Sequence, residues 1–232
     1  MTASEHFDLI DRRGWREGFR HVLREFDACL FHCSGYIKFH GTAETAQLTV
    51  FERLRETAAH AKNWEVSCST ARPGFNFNYG GTRNSFLIGP VGLVLDPLDN
   101  DSITGAGTAD FGSQPNPAVG PGRRFIPYEA VPQELEDIEH AVKMHARDRH
   151  NELTVHRYNV IGLFIQPFNI AGEVEYLVDG KPQVFGHADL HHELGGLQLP
   201  TYLRDDKGMF HYHWSGIRYQ KGARVRARDL YR

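Results

Sequence analysis

Short apolar runs rich in β-branched and aromatic residues, scattered irregularly among three helical stretches, constrain the fold of this chain most. One run is Leu153-Thr-Val-His-Arg-Tyr-Asn-Val-Ile-Gly-Leu-Phe-Ile165, and shorter ones cover 28–32, 36–39, 64–68, 85–88, 91–95, 173–178 and 212–219. Their length and bounding Gly, Pro and Asp residues read as strands. Helical spacing appears over 5–28 (Trp15, Phe19, Val22, Leu23, Phe26), 42–62 (Leu48, Phe51, Leu54, Arg55, Ala58) and 132–147 (Leu135, Ile138, Val142). Thr42 is placed to cap the second helix and Pro132 to open the third. There is no internal repeat and no regular strand–helix–strand alternation, so the expected class is α+β. Residues 97–123 are rich in Gly, Asp, Ser, Asn and Pro and read as one long loop, poorly packed and bordering a functional cleft.

The 232 residues are enough for a real core, and 41% hydrophobic content is ordinary for a globular protein. A formal charge of −3 argues against whole-domain attraction to nucleic acid or an anionic membrane. No apolar run approaches the roughly 20 residues that span a bilayer. The polar start Met-Thr-Ala-Ser-Glu-His-Phe-Asp lacks the pattern of a secretory signal. The expectation is a soluble protein, cytoplasmic where it is made, with no membrane partner. Cys29, Cys33 and Cys68 cannot all pair and are expected to be buried free thiols.

Three polar motifs lie on or beside the strand runs: Phe39-His40-Gly41-Thr42, Ser67-Cys68-Ser69-Thr70 and His150-Asn151-Glu152. In that order, over roughly residues 30–166, they resemble the ADP-ribosyltransferase superfamily, whose members split NAD at the nicotinamide bond. The resemblance implies a split β-core with flanking helices over 1–171, and a C-terminal β-rich extension over 172–232 packed on the same domain. It implies NAD as substrate and Glu152 as the catalytic carboxylate. His40, Gly41 and Thr42 would contact the dinucleotide, and Ser69 and Thr70 would steady its floor. Leu30-Phe-His32-Cys-Ser34 is a second match to the histidine motif, with Cys where Gly is expected.

Physical chemistry agrees with a carboxylate in that role. Breaking the ribose–nicotinamide bond builds positive charge on the sugar, as in glycoside hydrolysis. A fixed carboxylate stabilises that charge and can hold the 2′-hydroxyl or orient the nucleophile. His150 and Asn151 precede Glu152, so the first Glu or Gln of the family's protein-modifying branch is absent. NAD hydrolysis or another acceptor therefore stays open. Glu173 and Glu175 form a second candidate carboxylate pair. Relatives of this kind include bacterial toxins and effectors, which implies delivery to another cell and a cognate antitoxin or immunity protein as partner.

Two rival readings draw on the C-terminal third. His187-Ala-Asp-Leu-His-His-Glu193 and His211-Tyr-His213 suit a metal-dependent hydrolase or nuclease. A strand would align His187, Asp189 and His191, whereas a helix would align His187 with His191. No complete ligand set with standard spacing exists, so no metal is expected. Arg218, Lys221, Arg224, Arg226, Arg228 and Arg232 face a single Asp229, and read as a charged edge strand that guards against pairing or grips nucleic-acid phosphates. The remaining reading is a non-catalytic binding or immunity-type protein.

Overall fold

In a computed structural model, which describes residues 15–33, 50–61, 65–73, 91–98, 102–107, 135–143, 151–165, 174–178, 181–194, 199–204, 210–213 and 224–232, the scattered runs build a strand-rich α+β fold. The first half holds α1 (Trp15–Glu25), β1 (Cys29–Cys33), α2 (Val50–Ala59), β2 (Glu65–Ala71), β3 (Val91–Pro97), β4 (Ile103–Gly107) and α3 (Leu135–Lys143). The second half holds β5 (Glu152–His156), β6 (Tyr158–Ile165), β7 (Val174–Val178), β8 (Lys181–Phe185), α4 (His187–Glu193), β9 (Thr201–Arg204), β10 (Phe210–His213), β11 (Arg224–Val225) and α5 (Ala227–Leu230). Among these residues no helix is long and apolar enough to cross a membrane.

Among the described residues, nine strands join in the order β11-β10-β9-β6-β3-β1-β2-β5-β4, while β7 and β8 form a separate pair. Only β6 and β9 run parallel; the other neighbours are antiparallel. Strand β2 divides its partners along its length. Its end, Ser69 to Ala71, pairs with Phe31 to Cys29 of β1, and its start, Glu65 to Cys68, pairs with β5. Beyond Phe31, β1 continues against β3, with Cys33 opposite Gly92. The sheet therefore parts between β1 and β2.

Alternation along the strands sends Leu30, Val66, Cys68, Leu93, Leu95, Leu153, Val155 and Leu163 into one core. The same core takes Phe19, Val22 and Leu23 of α1, Leu54 of α2, Ile138 and Val142 of α3, and Leu190 of α4. A smaller cluster (Cys29, Phe31, Ala71, Val94, Phe164 and Tyr202) fills the opposite parity, with Phe31 stacked on Phe164 at 4.3 Å. Three helix ends, those of α1, α4 and α3, find partners for carbonyls that their own turns leave open. After α1, Asp27 takes φ 50°, Ala28 N–H reaches Leu23 O at 2.8 Å and Asp27 N–H reaches Arg24 O at 3.3 Å, a Schellman closure. Arg55 of α2 donates to Glu193 O at the end of α4, 2.9 Å away. Arg72 donates to Lys143 O at the end of α3, at 2.7 Å.

The chain returns at residue 231 to its first strand. Tyr231 is fully buried. Its hydroxyl accepts from Leu30 N–H at 2.8 Å and donates to Leu95 O at 3.2 Å. Extending the β1–β3 register by one rung from Phe31 and Val94 gives Leu30 and Leu95, so the phenol replaces a ladder bond. Two arginines of α1 hold the adjoining backbone: Arg24 donates to Tyr231 O and Arg20 to Arg232 O, at 3.2 and 3.3 Å. Arg20 also forks onto Asp96 of β3 at 2.9 and 2.5 Å.

Several sequence expectations change here. The run 153–165 is two strands, because Arg157 takes φ 55° and turns the chain from the β2–β5–β4 side to β3. Part of the expected 97–123 loop is β4, with Ser102, Ile103 and Ala106 buried. The arginines at 224, 226 and 228 do not share one strand: β11 stops at Val225 and a short helix starts at Ala227. Among the described residues β11 is the terminal strand of the sheet. Segment 187–193 is helical, so the strand alignment of His187, Asp189 and His191 does not form.

Gly162 of β6 lies under the Tyr202 ring of β9, where a Cβ would collide with two ring carbons. Gly162→Ala is expected to destabilise by about 1–3 kcal/mol through overpacking. Urea melts check this, and adding Tyr202→Ala, which clears the collision, should reduce the further penalty of the alanine at 162.

Candidate active site

Strand alternation decides what surrounds Glu152. Leu153 and Val155 point into the helix-covered core, so Glu152 and Thr154 face the other way. On β2, Val66 and Cys68 join that core, leaving Ser67 and Ser69 on the Glu152 side. Ser67 stands opposite Thr154, and one further rung sets Ser69 beside Glu152. On the other flank, β4 places Gly107 opposite Glu152 and Gly105 near Thr154, with no side chains of their own. The carboxylate lies between a hydroxyl-bearing strand and bare backbone. It is 7% exposed, enough to meet a ligand and little enough to keep its field from bulk water.

The residue before it anchors the strand. Asn151 is fully buried. Its Oδ1 accepts from Thr70 N–H at 2.8 Å, and its Nδ2 donates to Thr70 Oγ1 at 2.7 Å and to Ala141 O of α3 at 3.1 Å. Ser69 Oγ donates to Asn151 O at 2.8 Å. The hydroxyl proton of Ser69 is thereby committed, and the group meets a ligand as an acceptor. Thr70 lies wholly inside, on the helix side. Both residues of the Ser-Thr pair hold β5 in place.

His32 stands where β1 and β2 part, half-buried, with Nδ1 2.6 Å from Ser67 O. A carbonyl oxygen only accepts, so Nδ1 carries the proton and Nε2 keeps its lone pair. Burial pulls this imidazole below its ordinary pKa and favours the neutral ring, against the smaller, opposing pull of the Ser67 carbonyl. His40, Gly41 and Thr42 lie outside the described residues. The histidine brought to the Ser-Thr strand is the one in the second-ranked motif.

The cysteines are free, with Cys29 and Cys68 buried and Cys33 partly so. Burial pushes Cys29 up to about 12 and lifts Cys33 and Cys68 well above the ordinary range, Cys68 also through the nearby Glu152 charge. None is a thiolate nucleophile at neutral pH. Glu175 lies on β7, in the separate strand pair. Asp189 accepts Gly186 N–H at 2.9 Å and so closes the first turn of α4. Among the described residues no group of three or more His, Cys, Asp or Glu is disposed to hold a metal ion.

Sequence reasoning missed Asn151, noting it only as one of the two residues before Glu152. Its signal was slight: an amide directly after His150 and just before an apolar strand. No protein-family model and no curated protein matches the chain.

Proposed function

We propose that this protein consumes NAD, breaking the nicotinamide–ribose bond and passing ADP-ribose to water or to an acceptor. One observation carries the reading. Glu152, a nearly buried carboxylate at the mouth of β5, stands beside the Ser69 strand with glycine backbone on its other flank. The parting of β1 from β2 supports the finer reading of an ADP-ribosyltransferase-like split core. In that reading the dinucleotide-binding histidine is His40 or, from the second motif, His32 on β1.

The chemistry of the site fits such a substrate. Glu152 brings a carboxylate and Ser69 its lone pairs on one sheet face, and His32, on the Leu30 parity of β1, offers Nε2 from the parting of β1 and β2. Acceptors of this kind suit a ligand that presents ribose hydroxyl donors and develops positive charge at its anomeric carbon. Glu152 would stabilise that charge and hold the 2′-hydroxyl, and then orient or deprotonate the incoming nucleophile. His32 would accept from a ribose hydroxyl of the dinucleotide. Toxin or effector action, with a cognate immunity protein as partner, belongs to the same reading.

The experiment is direct. The purified protein is incubated with NAD, alone and with cell lysate, and nicotinamide release is followed. Release above the background of a Glu152→Gln control supports the reading. No release in either condition ends it and returns the chain to the metal-dependent hydrolase and non-catalytic binding readings.

A further inference from the structure

We infer that Asn151 is a positioning residue for the Glu152 carboxylate, setting its distance from β2 through one fully used amide. The inference rests on the NAD reading above. Its basis is the way three elements meet on a single side chain. Thr70 of β2 engages both ends of the amide, at 2.8 and 2.7 Å, and Ala141 of α3 takes the second Nδ2 proton at 3.1 Å. From the other parity of β2, Ser69 Oγ clasps the carbonyl of the peptide that joins Asn151 to Glu152, at 2.8 Å. The Glu152 backbone is therefore fixed to two consecutive residues of one neighbour and to the end of a helix. A buried amide so satisfied has few alternative arrangements, because any shift strands donors or acceptors away from water.

This arrangement differs from simple strand pairing. Ladder bonds tie β5 to β2 from His156 to Leu153, and they stop one residue short of Glu152. The amide takes over where the ladder ends. Without it, the first residue of β5 is held in the sheet only from the β4 side, at Gly107. A misplacement of about 1 Å at a reacting group can cost on the order of 10²-fold in rate.

The test measures kcat and KM for NAD by nicotinamide release, with urea melts for every variant. Asn151→Ala and Thr70→Val should each lower kcat by about 10²-fold and leave KM within about twofold. The double variant should lose little more than the worse single one, as expected of partners in one network. Thr70→Ser, which keeps the hydroxyl, should restore kcat. Gly162→Ala serves as the control: it removes stability on β6, which β3 and β1 separate from β2, and should leave kcat unchanged. If Asn151→Ala does not fold, the volume-matched Thr70→Val carries the comparison with Thr70→Ser. Folded variants with normal kcat, or with raised KM alone, overturn the positioning role while NAD cleavage by the unmodified protein stands. Absence of cleavage by the unmodified protein removes the NAD reading instead, and this role with it.

Discussion

Glu152→Gln will lower the rate of nicotinamide release by about 10²–10³-fold, the usual loss when one preorganised electrostatic contact is removed. The substitution keeps volume and hydrogen-bonding atoms but deletes the charge that a developing ribosyl cation needs. The fold should survive. Glu152 lies on the sheet face away from the helix-covered core, and neutral Gln is cheaper to bury than a carboxylate. Urea melts of the variant should match or exceed those of the unmodified protein. Glu175→Gln, on β7 in the separate strand pair, should leave turnover nearly intact. Full activity in the Glu152 variant, with collapse in the Glu175 variant, would transfer the catalytic role to the later strand.

The second large effect concerns stability. Tyr231→Ala is expected to cost about 3–5 kcal/mol, the range for truncating a buried aromatic side chain. Part of that loss is polar. The hydroxyl serves Leu30 N–H and Leu95 O together, and stranding a buried group costs about 1–3 kcal/mol. Against a total stability of about 5–15 kcal/mol, the substitution brings the protein close to unfolding at ambient temperature. Tyr231→Phe separates the two contributions and should cost about 1–3 kcal/mol. Urea denaturation of the pair checks both values. A Phe variant as stable as the unmodified protein would mean that the β1–β3 rung is sealed without the phenol.

Much of this fold could be read from local pattern. Phe19, Val22 and Leu23 recur at helical spacing and do enter the core together. The β1, β2, β3 and β7 runs carry enough apolar residues to announce themselves. Other features had no local signal. Nothing in His156-Arg157-Tyr158 marks a left-handed residue, because the turn is imposed by pairing with different neighbours on either side. β4 escaped notice since Ile103-Thr-Gly-Ala-Gly107 looks like loop composition, and its strand identity comes from the backbone of β5. Glu152 and Ser69 were singled out by resemblance, but the network on Asn151 requires α3 and β2 to be adjacent. Contact between Thr70 and Asn151, 81 positions apart, is a tertiary fact.

The sealing of β1 by Tyr231 also sets an order in time. Leu30 and the phenol that completes its rung are 201 positions apart. At synthesis rates of about 5–20 residues per second, roughly 10–40 s separate their appearance from the ribosome. During that interval β1, the strand that flanks Ser69 and Thr70, has an open seam beside β3. Any product that stops short of residue 231 keeps that seam open. The rung at Leu30 therefore closes only once residue 231 has been made, and β1, which pairs with Ser69 and Thr70, waits for it.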